Sequence, residues 1–497
     1  MRLTGATLSL DEVARVARGT DKVEIEAAAL ARMRASRAVI ERLAAGDAPV
    51  YAVNTGVGLL SDTRIPPTEL AALQRNVVRS HACGVGPALP RAAVRAMMLI
   101  RANVLAMGLS GIRPLIAERL CDLLNHGITP VVPSRGSVGA SGDLAPLAHM
   151  ALVLIGEGEA ELHGRVLGGA EALRRAGLEP LQLEAKEGIS LVNGTQAMLG
   201  VGTLAQIDTE SLCDIADVAC ALSVDALRGT PKAFDPRIHA ARPHPGQMES
   251  ARRLAELLEG SPIRESHRGC RHVQDAYSLR CAPQVHGAVR DAAREAHRVF
   301  SIELNSATDN PLVFDDEIVS GGNFHGQAIA MVMDYLAIAL TALAGISERR
   351  IDRMVNPALN EGLPAFLASR AGLESGFMMV QVTAAALVGE CRVLATPASP
   401  GSITTSGNKE DFVSMGMTSA LKLAEIVTLT RQVLAMEMLT AARALDFLEP
   451  LQSSPALERI RAGLRAVAPA VAGDSSPAAA IAATERWLAG NGLRWLE

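Results

Sequence analysis

Thr418-Ser-Ala-Leu-Lys-Leu-Ala-Glu-Ile-Val-Thr-Leu-Thr-Arg-Gln-Val-Leu-Ala-Met-Glu-Met-Leu-Thr-Ala-Ala-Arg-Ala-Leu-Asp-Phe-Leu448 contains neither Gly nor Pro and stops just before Pro450. At the usual helical rise these residues make a rod of about 46 Å. Leu423, Ile426, Val427, Leu434, Met438, Leu445 and Leu448 recur at helical spacing and form one apolar stripe. A stripe this long needs neighbours. Residues 328–350 and 283–304 repeat the pattern, the latter opening on a proline as helices often do. Together they predict a mainly α fold with a core of long antiparallel helices packed as a bundle. Before residue 200 the texture differs, with short helical patterns between loops rich in Gly and Pro. There, residues 87–107 read as a helix carrying Val94, Met97, Met98, Arg101, Val104 and Leu105 on one side, with Gly108 and Gly111 as its stop. Residues 159–167 suit a small hairpin turning at His163-Gly164. The expected division is a smaller α-rich N-terminal domain over 1–200 and a long-helix domain over 201–497, in which 467–479 link to a final short helix.

The composition agrees with helix. Hydrophobic residues make up 49% of the 497 and aromatic residues only 3%, so Ala, Leu and Met dominate over the β-branched and aromatic types that favour sheet. A net charge of −5 argues against a nucleic-acid-binding protein, which would show a basic face. The seven cysteines, at 83, 121, 213, 220, 270, 281 and 391, are scattered and contain no C-x-x-C pair. Reduced thiols in a cytoplasmic setting are the expectation. Met1-Arg-Leu-Thr-Gly-Ala lacks the charged and then apolar run of a secretory signal. Residues 328–346 could span a bilayer, interrupted only by Asp334, yet Glu348-Arg349-Arg350 follows and other long helices surround it. A buried bundle helix is the better reading, and no membrane partner is expected.

The chemistry centres on Gly136-Ser-Val-Gly-Ala-Ser-Gly-Asp-Leu-Ala-Pro-Leu147. If the amide nitrogen of Gly142 attacks the carbonyl of Ala140 and two waters are lost, Ser141 becomes a dehydroalanine in a five-membered ring, a 4-methylideneimidazole-5-one (MIO). The residue types suit that reaction. Gly142 lets its nitrogen approach a carbonyl in a turn most residues cannot enter, Ala140 leaves the attacked carbon uncrowded, and Ser141 supplies the departing hydroxyl. Asp143-Leu-Ala-Pro146 reads as a helix start, with Asp143 at the N-cap accepting from the Ala145 N–H. A helix N-terminus beside the ring would favour negative charge on it. The bland reading is a Gly/Ser turn entering a helix. A serine nucleophile elbow fails, because Asp143 stands where G-x-S-x-G needs its second glycine.

The dodecapeptide resembles the cofactor-forming loop of the aromatic amino acid ammonia-lyase family, and matching pieces run through nearly the whole chain. They are Tyr51-Ala-Val-Asn-Thr-Gly-Val-Gly58, Ser80-His-Ala-Cys-Gly84, Val192-Asn-Gly-Thr-Gln196, Gln274-Asp-Ala-Tyr-Ser-Leu-Arg280, Asn305-Ser-Ala-Thr-Asp-Asn-Pro311, Gly321-Gly-Asn-Phe-His325 and Gly407-Asn-Lys-Glu-Asp411. Each is weak alone, and seven in order around one Ala-Ser-Gly are hard to obtain by accident. The resemblance implies an electrophile made from Ala140, Ser141 and Gly142 with no external cofactor. It also implies a homotetramer whose active sites take residues from more than one subunit.

Eliminating ammonia needs an amine made into a leaving group, a base for a poorly acidic C–H and an anchor for a carboxylate. Arg280 offers the forked donors that match two carboxylate oxygens. Asn193 and Gln274 can donate to the ring oxygen, where charge would build. Tyr51 and Tyr277 are two of only three tyrosines, and the resemblance gives Tyr51 the role of base. Phe324 is expected as an aromatic wall. His81 and Glu410 match the histidine-specific members of the family. An imidazole offers a donor and an acceptor that a phenyl ring lacks, so a pocket holding both would disfavour phenylalanine. The implied reaction is therefore L-histidine to trans-urocanate. Tyrosine or phenylalanine lyases, aminomutases on the same fold, and a non-catalytic helical scaffold that never closes the ring are the alternatives. Lys409, Phe412 and Val57 depart from the usual Gln, His and Phe, as does Pro400-Gly-Ser-Ile-Thr404 from its pattern, and a cation beside Glu410 would favour its charged form. No metal is expected. His267, Cys270 and His272, or His239 with His244, do not have tetrahedral ligand spacing, and Arg268 and Arg271 would repel a cation; a basic loop that steers an anionic substrate is the simpler reading.

Overall fold

The computed structural model describes residues 1–269 and 273–490; Cys270, Arg271 and His272 of the basic loop lie outside them. In chain order, the elements that frame the site begin with helix α1 (Leu70–His81), strand β1 (Val85–Ala88), helix α2 (Arg91–Ala106) and strand β2 (Pro133–Arg135). Helix α3 (Leu144–Leu154) and the β3–β4 hairpin (Glu159–Leu162 and Arg165–Gly168) follow. The long helices are α4 (Gln196–Ala226), α5 (Ala282–Glu303), α6 (Gln327–Val355), α7 (Met378–Leu394) and α8 (Gly416–Asp446), and helix α9 (Ala478–Ala489) comes last.

The expected long helices are present as α5, α6 and α8, and all seven residues of the 418–448 stripe are buried. The hairpin turns at His163-Gly164 as expected, with Leu162 paired to Arg165. Two differences stand out. The helix expected from Pro87 begins at Arg91, because residues 85–88 are drawn into a strand antiparallel to 133–135 and Pro90 then fixes the entry. Helix α4, 31 residues long, was hidden by Gly200 and Gly202, which look like breakers. At Gly200 a Cβ would come within 2.9 Å of the Met97 amide, so this glycine marks close packing on α2 rather than a turn.

The chain folds into two compact units, each discontinuous. The first comprises Met1–Ile207, Ala296–Asp334 and Pro397–Leu421; the second comprises Asp208–Glu295, Tyr335–Thr396 and Lys422–Glu497. In the first unit, Val39, Ile40, Val53, Leu70, Ala185 and Val313 form a core cluster. Asp334 accepts the amides of Ala398 and Ser399 at 2.8 and 2.7 Å, which gives the one charged interruption of the apolar 328–346 stretch of α6 a buried role. That helix, α6, is the only described one long and apolar enough to cross a membrane, and half of its most apolar window is buried.

In the second unit α6 and α7 run antiparallel: Thr341 donates to the Cys391 carbonyl at 3.3 Å, and Gln381, ten residues earlier on α7, donates to Glu348 at 2.8 Å. Ala344 and Ile351 pack with Val380, Ala384, Val388, Val433 and Met436 between them and α8. A buried polar network pins the same helices. Glu437 of α8 accepts from Arg350 at 2.9 Å, Ser347 at 2.6 Å and Ser223 of α4 at 2.7 Å.

Candidate active site

The ring-forming tripeptide sits at a crossing of backbones in the first unit. Pairing of Val85 with Arg135 brings the 81–84 turn beside the start of the loop. Gly142 then pairs with Gly194 as an isolated parallel bridge, and the Asp143 amide donates to the Gly194 carbonyl at 2.7 Å. Gly142 has φ +76°, and a Cβ there would lie 2.1 Å from the Gly194 oxygen. Only glycine fits on both counts. On the other side the Met415 amide donates to the Val138 carbonyl at 2.8 Å and the Ser414 hydroxyl to the Gly139 carbonyl at 3.0 Å.

Asp143 precedes α3 as expected but does not cap it with its side chain. Its carboxylate instead accepts the Met198 amide at 2.7 Å and the Ser137 hydroxyl at 2.8 Å. A partner from another helix has displaced the local cap, and the loop is stitched to α4 by this means. Complete burial pushes the Asp143 carboxyl up to about 6 despite those hydrogen bonds.

Ser141 is held at both ends. Its hydroxyl donates to Glu410 at 2.6 Å, and its carbonyl accepts from the Asn193 amide at 2.8 Å. The other Glu410 oxygen accepts from Thr405 at 2.6 Å. Both side-chain partners of Glu410 are hydroxyls, and Lys409 is exposed to solvent. Asn193 is oriented from behind by Arg101 of α2, which donates to the Asn193 carbonyl and to Gln196, each at 2.8 Å. Arg101 is fully buried, and desolvation pulls it down to about 10, still cationic at neutral pH. The Asn193 side-chain oxygen is buried without a partner.

His81 ends α1 half-buried. Its Nδ1 donates to the Val77 carbonyl at 2.7 Å, since a carbonyl only accepts, and in the neutral tautomer this leaves Nε2 as an acceptor. Tyr51 is half-buried in a turn where Ala52 has φ +60°. The same segment reaches the Glu410 turn, since a Cβ on Gly58 would lie 3.3 Å from the Ser406 hydroxyl. Phe324 is half-buried in the turn before Gly326, where a Cβ would strike Met198, the residue whose amide holds Asp143. Phe412 has a local use: its ring stacks on His325 at 6.1 Å.

Gln274, Tyr277 and Arg280 belong to the second unit. Gln274 is exposed, Tyr277 is 71% exposed, and the Arg280 guanidinium lies 4.6 Å from the centre of the Tyr277 ring. The structure thus brings Ser141, Gly142, Asn193 and Glu410 together in direct contact, with His81, Tyr51 and Phe324 on segments that adjoin them. His239 hydrogen-bonds Ala233 and Gln247 through its two nitrogens, each at 3.0 Å. Sequence reasoning missed Arg101, Thr405, Ser414 and Ser137. For Arg101 a signal existed, an arginine on an otherwise apolar helical stripe.

Residues 8–466 match the family model described as "Aromatic amino acid lyase". The chain belongs to the aromatic amino acid lyase family. Among the relatives of this aromatic amino acid lyase, the histidine ammonia-lyase of Koribacter versatilis (strain Ellin345) is 59% identical over 499 residues, covering 98% of this chain and 97% of its own. That of Myxococcus xanthus (strain DK1622) is 56% identical over 452 residues, covering 90% and 89%. Solved structures share the helical fold of this family member. Histidine ammonia-lyase from Trypanosoma cruzi aligns with TM-score 0.92 at 41% identity, over 99% of this chain and 94% of that one. Tyrosine aminomutase from Streptomyces globisporus aligns with TM-score 0.94 at 40% identity, over 99% and 98%.

Proposed function

We propose that this chain is a carbon–nitrogen lyase that converts L-histidine to trans-urocanate and ammonia, using an electrophilic ring made from its own Ala140, Ser141 and Gly142. The observation that carries the reading is the Ser141 environment: a side-chain amide already donates to the Ser141 carbonyl oxygen, beside a glycine nitrogen whose conformation and crowding admit no side chain. The named relatives support the substrate, being histidine ammonia-lyases at up to 59% identity. The MIO group, once formed, supplies a methylene that takes up the amine.

Every other task falls to side chains. Asn193 holds a donor on the oxygen where negative charge gathers, and Arg101 fixes Asn193 by gripping its backbone carbonyl. His81 and Glu410 are assigned the polar edge of the substrate imidazole, for which a phenyl ring has no counterpart. Tyr51 is assigned the β-proton and Phe324 an aromatic wall. Arg280 is assigned the substrate carboxylate, with Tyr277 and Gln274 beside it. Because Gln274 and Tyr277 lie open to solvent in one chain and Arg280 is only half-buried, we assign the three to the active site of another copy in a homotetramer. The six described cysteines are unpaired, which suits the cytoplasm.

A substrate panel tests the reading. L-Histidine should give urocanate, whereas coumarate, cinnamate or a β-amino acid as the main product would transfer the chain to the tyrosine, phenylalanine or aminomutase reading. Ser141→Ala should fold and lose nearly all turnover, and substantial residual activity would refute the ring.

A further inference from the structure

We propose that Glu410 is the acid that expels the Ser141 hydroxyl when the ring is made, a role separate from any part in substrate recognition. The inference rests on the ring-forming reading above. Its basis is contact: Glu410 Oε1 stands 2.6 Å from Ser141 Oγ, the one atom of the tripeptide side chains that must leave.

The carboxyl is held for that position from two directions. Thr405 donates to Glu410 Oε2 at 2.6 Å, and the Thr405 amide donates to the Glu410 carbonyl at 2.9 Å, closing a tight loop. The residues between follow a left-handed path, with φ of +50° at Ser406, +58° at Gly407 and +68° at Asn408. Two non-glycine departures of this kind, one on each side of a glycine, persist where the surrounding structure enforces them, and here they aim Glu410 at Ser141.

The proton accounting is complete without an oxidant. Ring closure joins Gly142 N to Ala140 C, and the Ala140 oxygen leaves as water with the protons of the Gly142 and Ser141 amides. In the second dehydration the Cα–H bond of Ser141 breaks, its proton passes to solvent water, and its electron pair forms the Cα=Cβ bond. The Cβ–Oγ bond breaks as Glu410, after taking a proton from solvent on Oε1, passes that proton to Oγ, so that a neutral water departs and the carboxylate is restored. Without an acid the leaving group would be hydroxide, and a positioned general acid is worth about a hundredfold or more in rate. Departure of Oγ also empties the Oε1 position, leaving the same carboxylate open to a substrate imidazole.

The test is intact-protein mass on full-length chain, sampled from the end of synthesis onward, with folding followed by circular dichroism and elution volume. Wild type should be lighter than the encoded chain by two waters. Glu410→Gln should accumulate a form lighter by one water, with the hydroxyl retained in the peptide that contains Ser141 and the second loss slowed on the order of a hundredfold. Thr405→Val should show a smaller delay that Thr405→Ser reverses, as expected of a positioning residue. Loss of both waters from Glu410→Gln at the wild-type rate overturns the proposal, as does a folded Glu410→Gln chain that loses neither. Wild type of unchanged mass would instead sink the ring-forming reading itself. If Glu410→Gln fails to fold, Glu410→Asp, which keeps the acid and withdraws it from Oγ, should show the same one-water form, and full wild-type kinetics there overturns the proposal.

Discussion

Asp143 is a fully buried carboxyl, held by the Met198 amide and the Ser137 hydroxyl and pushed up by burial to about 6. The folded chain therefore binds this proton more tightly than the unfolded chain does. Between the ordinary value of 3.8 and about 6, folding takes up a proton, so the Asp143 contribution to stability is full below the ordinary value and is lost as pH rises through about 6. A difference of about two pH units corresponds to about 3 kcal/mol. Asp143→Asn, which cannot ionise, should show a flatter dependence of its urea midpoint on pH across that window than wild type at equal protein concentration. The difference between the two curves isolates Asp143 from Glu303 and Asp225, which burial also raises. Coincident slopes would show that Asp143 does not titrate there. Holding a reluctant carboxyl at this point has a structural return, because the same two hydrogen bonds tie the ring-forming loop to α4.

Among the helices of the second unit, the Arg350–Glu437 pair is the place where one element depends on another. Both side chains are fully buried, and Glu437 also satisfies Ser223 and Ser347. Glu437→Ala leaves the Arg350 cation without its carboxylate in the interior, a loss of about 3–5 kcal/mol. Calorimetry should show a clear fall in the melting midpoint, and Glu437→Leu with Arg350→Met should recover much of it; an unchanged midpoint in Glu437→Ala would show that the pair is already solvated. The helices bearing this pair were legible in sequence, because α6 and α8 carry long stripes whose period survives any detail of packing. Helix α4 was not, because Gly200 serves a helix contact that periodicity cannot see. The site divides in the same way. Ala140-Ser-Gly142 and its flanking turns are local, so residue types alone describe them. The Asp143–Met198 and Ser141–Glu410 contacts join residues 55 and 269 apart in sequence, and no local rule says which distant donor will displace a helix cap.

For the molecule as a whole, the proposed residues divide between compact units: Ser141, Asn193 and Glu410 in the first, and Gln274, Tyr277 and Arg280 in the second. Tyr277 is 71% exposed, an unusual state for a tyrosine assigned to chemistry that must exclude water. Assembly of copies resolves this if one chain supplies the ring and another supplies Arg280. Ser141→Ala and Arg280→Ala chains should each be nearly inactive alone. Co-expressed, they should recover activity, because an Arg280→Ala chain brings an intact ring and a Ser141→Ala chain brings an intact Arg280. With equal expression and random assembly of a closed homo-oligomer, roughly one site in four receives both intact parts. Turnover per site should approach that fraction of wild type, and its KM for L-histidine should be the wild-type value, since each working site is complete. Mixing the two purified oligomers without unfolding should recover nothing while subunits do not exchange. If the co-expressed pair stays as inactive as its parents, with mixed assemblies verified by two different affinity tags, then each site is built from one chain.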